Sequence, residues 1–130
     1  MISIPEIVFV YGTLRRGGSN HFRMAAAEFI SAGTVSGRLY RVHWYPGMVL
    51  DDEAGDEIHG DVYAVDAETL ATLDVFEGLS AGEIQGSEYR RVRSTIMLQD
   101  SRTITAWVWE WIGMTDESQR LADGDWLKTE

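Results

Sequence analysis

Apolar residues along this chain follow two spacings, one of strands and one of a helix. Ile7-Val8-Phe9-Val10 is a continuous apolar run of strand length, the pattern of a strand covered on both faces. It breaks at Tyr11-Gly12-Thr13-Leu14-Arg15-Arg16-Gly17-Gly18, where glycines interrupt it. Ser19 or Asn20 then stands where a cap would open an Ala- and Met-rich helix over 21–29. Residues 29–42 predict a strand interrupted at Gly33, followed by a turn over 43–47 and a short strand over 48–50. An acidic loop is expected over 51–57 and a strand over 58–65. Asp66 caps an expected helix over 67–77, which Gly78 stops. A glycine-containing loop over 79–87 leads to a predicted hairpin of strands 89–98 and 103–112. The acidic tail carries apolar anchors at Leu121, Trp126 and Leu127. About six strands and two helices predict an α+β domain with a mixed sheet, suited to a small β-barrel with helices packed outside.

The helix over 67–77 holds the most informative residue. With Leu70 at zero on a wheel of about 100° per residue, Leu73 falls near 300° and Phe76 near 240°. Glu77 falls near 340°, inside the apolar stripe, while Glu68 and Thr72 fall on the solvent side at about 160° and 200°. A carboxylate among apolar neighbours is costly unless paired or neutralised. Its pKa should rise, which suits a general acid/base near neutral pH. Two other roles fit the same position: a solvent-facing helix end, or a buried partner of Arg90, Arg91 or Arg93.

Two further features carry chemistry or packing. The strand-to-turn break at residues 11–15 presents backbone N–H groups able to hold a carboxylate or an oxyanion. Arg15 either adds positive charge there or is simply solvated. In the strand 103–112, Trp107, Trp109 and Trp111 share one face, and Ile104, Ala106, Val108 and Ile112 share the other. Such a strand is buried on both faces, with a helix, the tail or a second subunit as its cover, so a homodimer through this aromatic sheet face is one expectation.

Composition narrows the function classes. The chain has 130 residues and no cysteine, which excludes disulfides, Cys-ligated metal and a Cys nucleophile. At this length residues 1–130 predict a single domain, burying about two-thirds of the extended chain's surface. Eleven Lys and Arg stand against 21 Asp and Glu, a net charge of −10, with Lys128 the one lysine. That balance argues against binding a nucleic-acid backbone. No apolar run approaches the ~18 residues of a membrane span. Glu6, with no basic residue before the first apolar run, is unlike a secretory leader, so the cytoplasm is the expected compartment. His21, His43 and His59 lack ligand spacing, so no metal is expected. There is no P-loop, dinucleotide fingerprint or serine-hydrolase elbow.

The segment Val8 to Gly17 with Ser19-Asn20-His21 resembles the signature of the γ-glutamylcyclotransferase-like family, which includes AIG2-like proteins and γ-glutamylamine cyclotransferases. The resemblance continues through Gly37-Arg38-Leu39-Tyr40, Tyr45-Pro46-Gly47, His59-Gly60-Asp61-Val62-Tyr63 and Leu73-Asp74-Val75-Phe76-Glu77-Gly78. It runs on through Tyr89-Arg90-Arg91-Val92 to Gly124-Asp125-Trp126, so it covers nearly the whole chain. It implies a mixed β-barrel flanked by helices, with a pocket at one mouth lined by Tyr11, Gly12, Thr13 and Leu14. It implies that Glu77 is the catalytic glutamate and Tyr89 the pocket tyrosine. Glu88 is next to Tyr89, and a strand neighbour is expected to point to the opposite face. The implied reaction cleaves a γ-glutamyl amide by its own α-amino group, giving 5-oxoproline and a free amine, with no metal, cofactor or covalent intermediate. Tyr11 and Tyr89 would shape the pocket and donate hydrogen bonds. The competing expectation is a small-metabolite binding or regulatory module using the same pocket without turnover.

Overall fold

Six strands and one α-helix make up the body of the chain in a computed structural model that describes residues 4–53, 55–80 and 82–129. The outermost N-terminal residues 1–3, single positions in the two loops expected at 51–57 and 79–87, and residue 130 lie outside the described residues. The strands are β1 (Glu6–Val10), β2 (Glu28–Arg41), β3 (Pro46–Leu50), β4 (Asp56–Val65), β5 (Tyr89–Leu98) and β6 (Thr103–Trp111). The helix α1 spans Ala67–Phe76.

Five strands close into a barrel. In ladder order they run β2, β4, β1, β6 and β5, and β5 returns to β2 through Gly33↔Leu98 and Thr34↔Met97. The β1–β6 pair is parallel (Val8↔Trp107) and the other ladders are antiparallel, so the sheet is mixed, as expected. The long strand β2 makes closure feasible. One of its edges serves β5 near Gly33 and then β3 from Gly37 to Arg41, so β3 hangs outside the ring.

Glycines sit where the wall is tightest. Gly33 pairs with Gly60 across the β2–β4 ladder, one at the closure point and one beside β1. A Cβ on Gly60 would run into the Val10 carbonyl oxygen and the Phe9 ring. Gly60→Ala should therefore destabilise the barrel by about 2 kcal/mol, from overpacking that backbone cannot relieve. Denaturant unfolding measures this, and a loss below half that value would show that the wall can shift.

Strand alternation builds two cores. Phe9, Tyr11, Val35, Leu39, Met48, Ile58, Val62, Ile96 and Val108 fill the barrel. Val8, Val10, Tyr63, Val65 and Trp109 point outward and meet Leu70 and Leu73 of α1. The β6 strand thus follows its predicted parity: Ala106 and Val108 face in, and the three tryptophans face the outer layer. Trp126 from the tail is buried among the barrel residues, with Leu121 and Leu127 packed alongside.

The helix expected over 21–29 does not form. Only a 3-10 turn appears, at His21–Met24, and β2 starts at Glu28. Asn20 does not cap it; its side-chain amide donates to Thr13 Oγ1 at 3.1 Å instead. Pairing of Glu28 with Ala64 takes the second half of the segment into the sheet, and a helix of nine residues cannot resist that on propensity alone. The barrel is accordingly flanked by one α-helix and short 3-10 turns rather than by two helices. The acidic loop is also shorter than expected, since β4 already begins at Asp56. Among the described residues no helix is long and apolar enough to cross a membrane.

Candidate functional site

The ends of α1, β1, β3 and β5 converge at one mouth of the barrel around a cavity of about 200 Å³. The cavity is lined by Tyr11, Gly12, Thr13, Leu14, Glu77 and Tyr89, so all six residues expected at the site come together. Trp44, Tyr45, Pro46, Phe76, Glu88 and Trp109 complete much of the wall.

Glu77 is set by the way α1 ends. Asp66 opens the helix by accepting from the Thr69 backbone N–H at 2.7 Å. At the other end the Leu79 N–H donates to the Asp74 carbonyl (2.8 Å) and the Gly78 N–H to the Val75 carbonyl (3.0 Å). These two bonds are a Schellman cap, with Gly78 at φ +86° and Glu77 as the last residue before it. A Cβ on Gly78 would meet nothing within 4 Å, so the backbone angle and not space calls for glycine there. The cap fixes the half-buried Glu77 at the cavity wall.

Among the described residues, the Glu77 carboxyl has no ion pair and no side-chain hydrogen bond. The arginines that could have paired with it are taken elsewhere. Arg91 binds Asp74 at 2.9 Å, Arg90 binds Glu110 at 2.8 Å, and Arg93 stacks on Trp107. Burial, then the charges of Asp74 and Glu88, push the Glu77 pKa up to about 8.

Asp74 is the main residue the wheel should have exposed. At about 40° from Leu70 it lies in the same stripe as Glu77. It is buried, and it accepts from Arg91 Nε and from the Trp109 indole, each at 2.9 Å. One helix face therefore carries two carboxylates, one neutralised by an arginine and one open to the cavity.

The two expected tyrosines are walls more than donors. Tyr11 donates its hydroxyl hydrogen to the Trp109 carbonyl at 2.6 Å and accepts from the Met48 N–H. Tyr89 donates to the Pro46 carbonyl. Burial holds both phenols well above their usual pKa, Glu77 adding to it, so both stay neutral. Both hydroxyl hydrogens are used within the protein, and neither is left for a ligand.

Gly12 permits the close approach of the loop to the wall, because a Cβ there would lie 2.8 Å from Pro46 Cγ. The Gly12 carbonyl accepts from Arg15 N–H, and the Thr13 carbonyl from Asn20 N–H. Among the described residues the backbone N–H groups of Gly12, Thr13 and Leu14 have no acceptor. Arg15 does not line the cavity; it is paired with Asp125 at 2.7 Å.

Glu88 departs from the expected strand parity. It precedes the first residue of β5, in a bend, so the pleat does not dictate its direction. It lines the cavity beside Tyr89, and the Tyr45 hydroxyl donates to its Oε2 at 2.7 Å. Among the described residues, no group of three His, Asp or Glu is placed to hold a metal ion.

Comparison with known proteins agrees with this architecture. A family model described as gamma-glutamyl cyclotransferase, AIG2-like, matches residues 8–128. A putative gamma-glutamylcyclotransferase of Vibrio cholerae is 35% identical over 131 aligned positions, covering 96% of this chain and 98% of the relative. The gamma-glutamylcyclotransferase family protein YtfP of Escherichia coli K12 is 31% identical, covering 92% of this chain and 95% of its own length. Among solved structures, an AIG2-like protein from Mus musculus superposes with a TM-score of 0.74 at 26% identity, covering 87% of this chain and 81% of that one. The chain belongs to the AIG2-like gamma-glutamyl cyclotransferase family.

Proposed function

We propose that the protein is a γ-glutamylcyclotransferase, cleaving a γ-glutamyl amide to 5-oxoproline and a free amine. The observation that carries this reading is the unpaired Glu77 carboxyl at the cavity wall, with its pKa raised to about 8. A carboxyl at that pKa exchanges a proton with an amine at little cost in either direction, which an ordinary carboxylate near 4.5 does not. Glu77 takes a proton from the substrate's α-ammonium. The freed nitrogen attacks the γ-carbonyl carbon and a five-membered ring closes. The C–N bond to the leaving amine then breaks as Glu77 returns the proton to it, and the surplus proton of the ring nitrogen passes to the released amine, which departs as an ammonium. The substrate's α-carboxylate or the oxyanion sits on the Gly12, Thr13 and Leu14 N–H groups, which have no acceptor among the described residues. Tyr11, Tyr89 and Trp109 hold the substrate folded, and a well-oriented intramolecular attack removes ~7–11 kcal/mol of barrier. Glu77 needs no activating partner beyond the burial and charge already described, and the proposed compartment is the cytoplasm.

The test is 5-oxoproline release from a panel of γ-glutamyl amides. Release that depends on Glu77 is the expected result. Tight retention of 5-oxoproline or of an intact amide without turnover would replace the enzyme with a binding module.

A further inference from the structure

We propose that Asp61 is a positioning residue of the site: its carboxylate holds the loop over 11–16 against the barrel, so that the Gly12, Thr13 and Leu14 N–H groups meet the cavity. This rests on the cyclotransferase reading for what those groups grip.

Asp61 fastens the loop at both ends. The chain leaves β1 at Val10, which pairs with Asp61 in the β1–β4 ladder. At Arg16 it comes back to the same residue, where the Arg16 backbone N–H donates to Asp61 Oδ2 at 2.8 Å. The three N–H groups lie between those two points. Bonds within the loop, from the Arg15 N–H to the Gly12 carbonyl and from the Gly18 N–H to the Arg15 carbonyl, set its shape but not where it sits. A second tie, from Arg15 to Asp125, leads to the same strand, because the His59 N–H donates to the Gly124 carbonyl at 2.8 Å.

The surroundings of Asp61 fit an anchor better than an ion pair. It shares the outer face of β4 with Tyr63 and is 3% exposed, so a charge is costly to keep there. The Arg16 guanidinium offsets that cost poorly. Its Nε is 3.6 Å away, beyond hydrogen-bond reach, its side chain is 54% exposed, and it stacks on the Phe29 ring. Among the described residues, the one hydrogen bond of the Asp61 carboxylate goes to the loop backbone. Such a charge-assisted bond is the stronger kind, and it fixes the main chain itself rather than a side chain.

The experiment compares Asp61→Ala, which removes the acceptor, with Asp61→Asn, which keeps an oxygen for the Arg16 N–H. Each is assayed by 5-oxoproline release at a temperature where circular dichroism shows it folded. Asp61→Ala should lower kcat/KM about a hundredfold, the loss that a misplacement of about 1 Å produces. The pH midpoint near 8 should stay in place, because Glu77 has not moved. Asp61→Asn should recover kcat/KM to within about fivefold of native. A residue serving stability alone would lower Tm and leave kcat/KM of the folded protein intact. An Asp61→Ala value within about fivefold of native, a loss that Asp61→Asn shares, or a displaced midpoint overturns the proposal. If Asp61→Ala does not fold, Asp61→Asn decides alone: a loss of about fivefold or less upholds the anchor, and a larger one ends it. If the native protein turns over no amide, the cyclotransferase reading fails and calorimetry with 5-oxoproline decides. Binding weakened about tenfold or more in Asp61→Ala and restored in Asp61→Asn then upholds the anchor, and unchanged or absent binding ends it.

Discussion

Glu77→Gln will lower 5-oxoproline release by about a thousandfold at pH 8, within the range that loss of a general acid/base produces. The amide matches the carboxyl in shape, so the cavity and the Schellman cap at Gly78 remain. The loss should therefore appear in kcat, with KM changed by less than threefold. In the native protein kcat/KM should rise about tenfold per pH unit below pH 7.5 and level off above about 8, where Glu77 is ionised. The variant's residual rate should lack that step. A rate within threefold of native would remove Glu77 from the mechanism. Stability moves the other way. A carboxyl whose folded-state pKa is raised holds its proton more tightly when folded. That contribution is complete below about 4.5 and is lost as pH rises through about 8. Glu77→Gln should thus match the native Tm at pH 4 and exceed it by roughly 5 °C at pH 9. Thermal melts at the two pH values read this directly.

The largest stability loss is expected one helical turn earlier. Asp74 and Arg91 are each nearly nine-tenths covered, with side-chain exposures of 11% and 12%, and the Trp109 indole donates to the same carboxylate. Asp74→Asn leaves the guanidinium of Arg91 without a counter-charge in that layer. Breaking one side of a buried pair costs about 3 kcal/mol, equivalent here to a Tm fall of roughly 10 °C. The double variant Asp74→Asn/Arg91→Gln should recover much of the loss, because no lone charge remains. Denaturant unfolding of the two variants measures the difference, and a single-variant loss below about 1 kcal/mol would mean that water already reaches the pair. Asp74→Asn should also move the activity profile to lower pH, since the Asp74 charge is the second cause of the raised Glu77 pKa.

The parts of the fold visible in the residue pattern are those whose cause is local. The Asp66 cap, the Gly78 stop and the alternation in β6 each declare themselves within ten residues, and the structure keeps them. The segment 21–29 misleads for the same reason. Its alanines and methionines favour a helix locally, while Glu28↔Ala64 is a pairing made 36 positions away. Barrel closure between β2 and β5 has no local signature beyond the Gly33 interruption. Within the site, Glu77 is legible because a carboxylate stands out against Leu70 and Leu73. Asp74 was equally legible on that wheel, but its partner Arg91 is on another strand. Glu88 required knowing where β5 starts, since one residue of strand more or less reverses its direction.

The order of strands also dictates when the molecule can form. β1 sits between β4 and β6, and its parallel partner Trp107 is 99 residues downstream of Val8. Trp126, later in the chain than every strand, fills the barrel that those strands enclose. A nascent chain must therefore hold Val8-Phe9-Val10 unpaired on one side until β6 has been synthesised. Non-local pairing of this kind folds slowly and leaves strand edges open to other chains. Emergence of the tail that carries Trp126, rather than of any one hairpin, is the point at which this barrel can close.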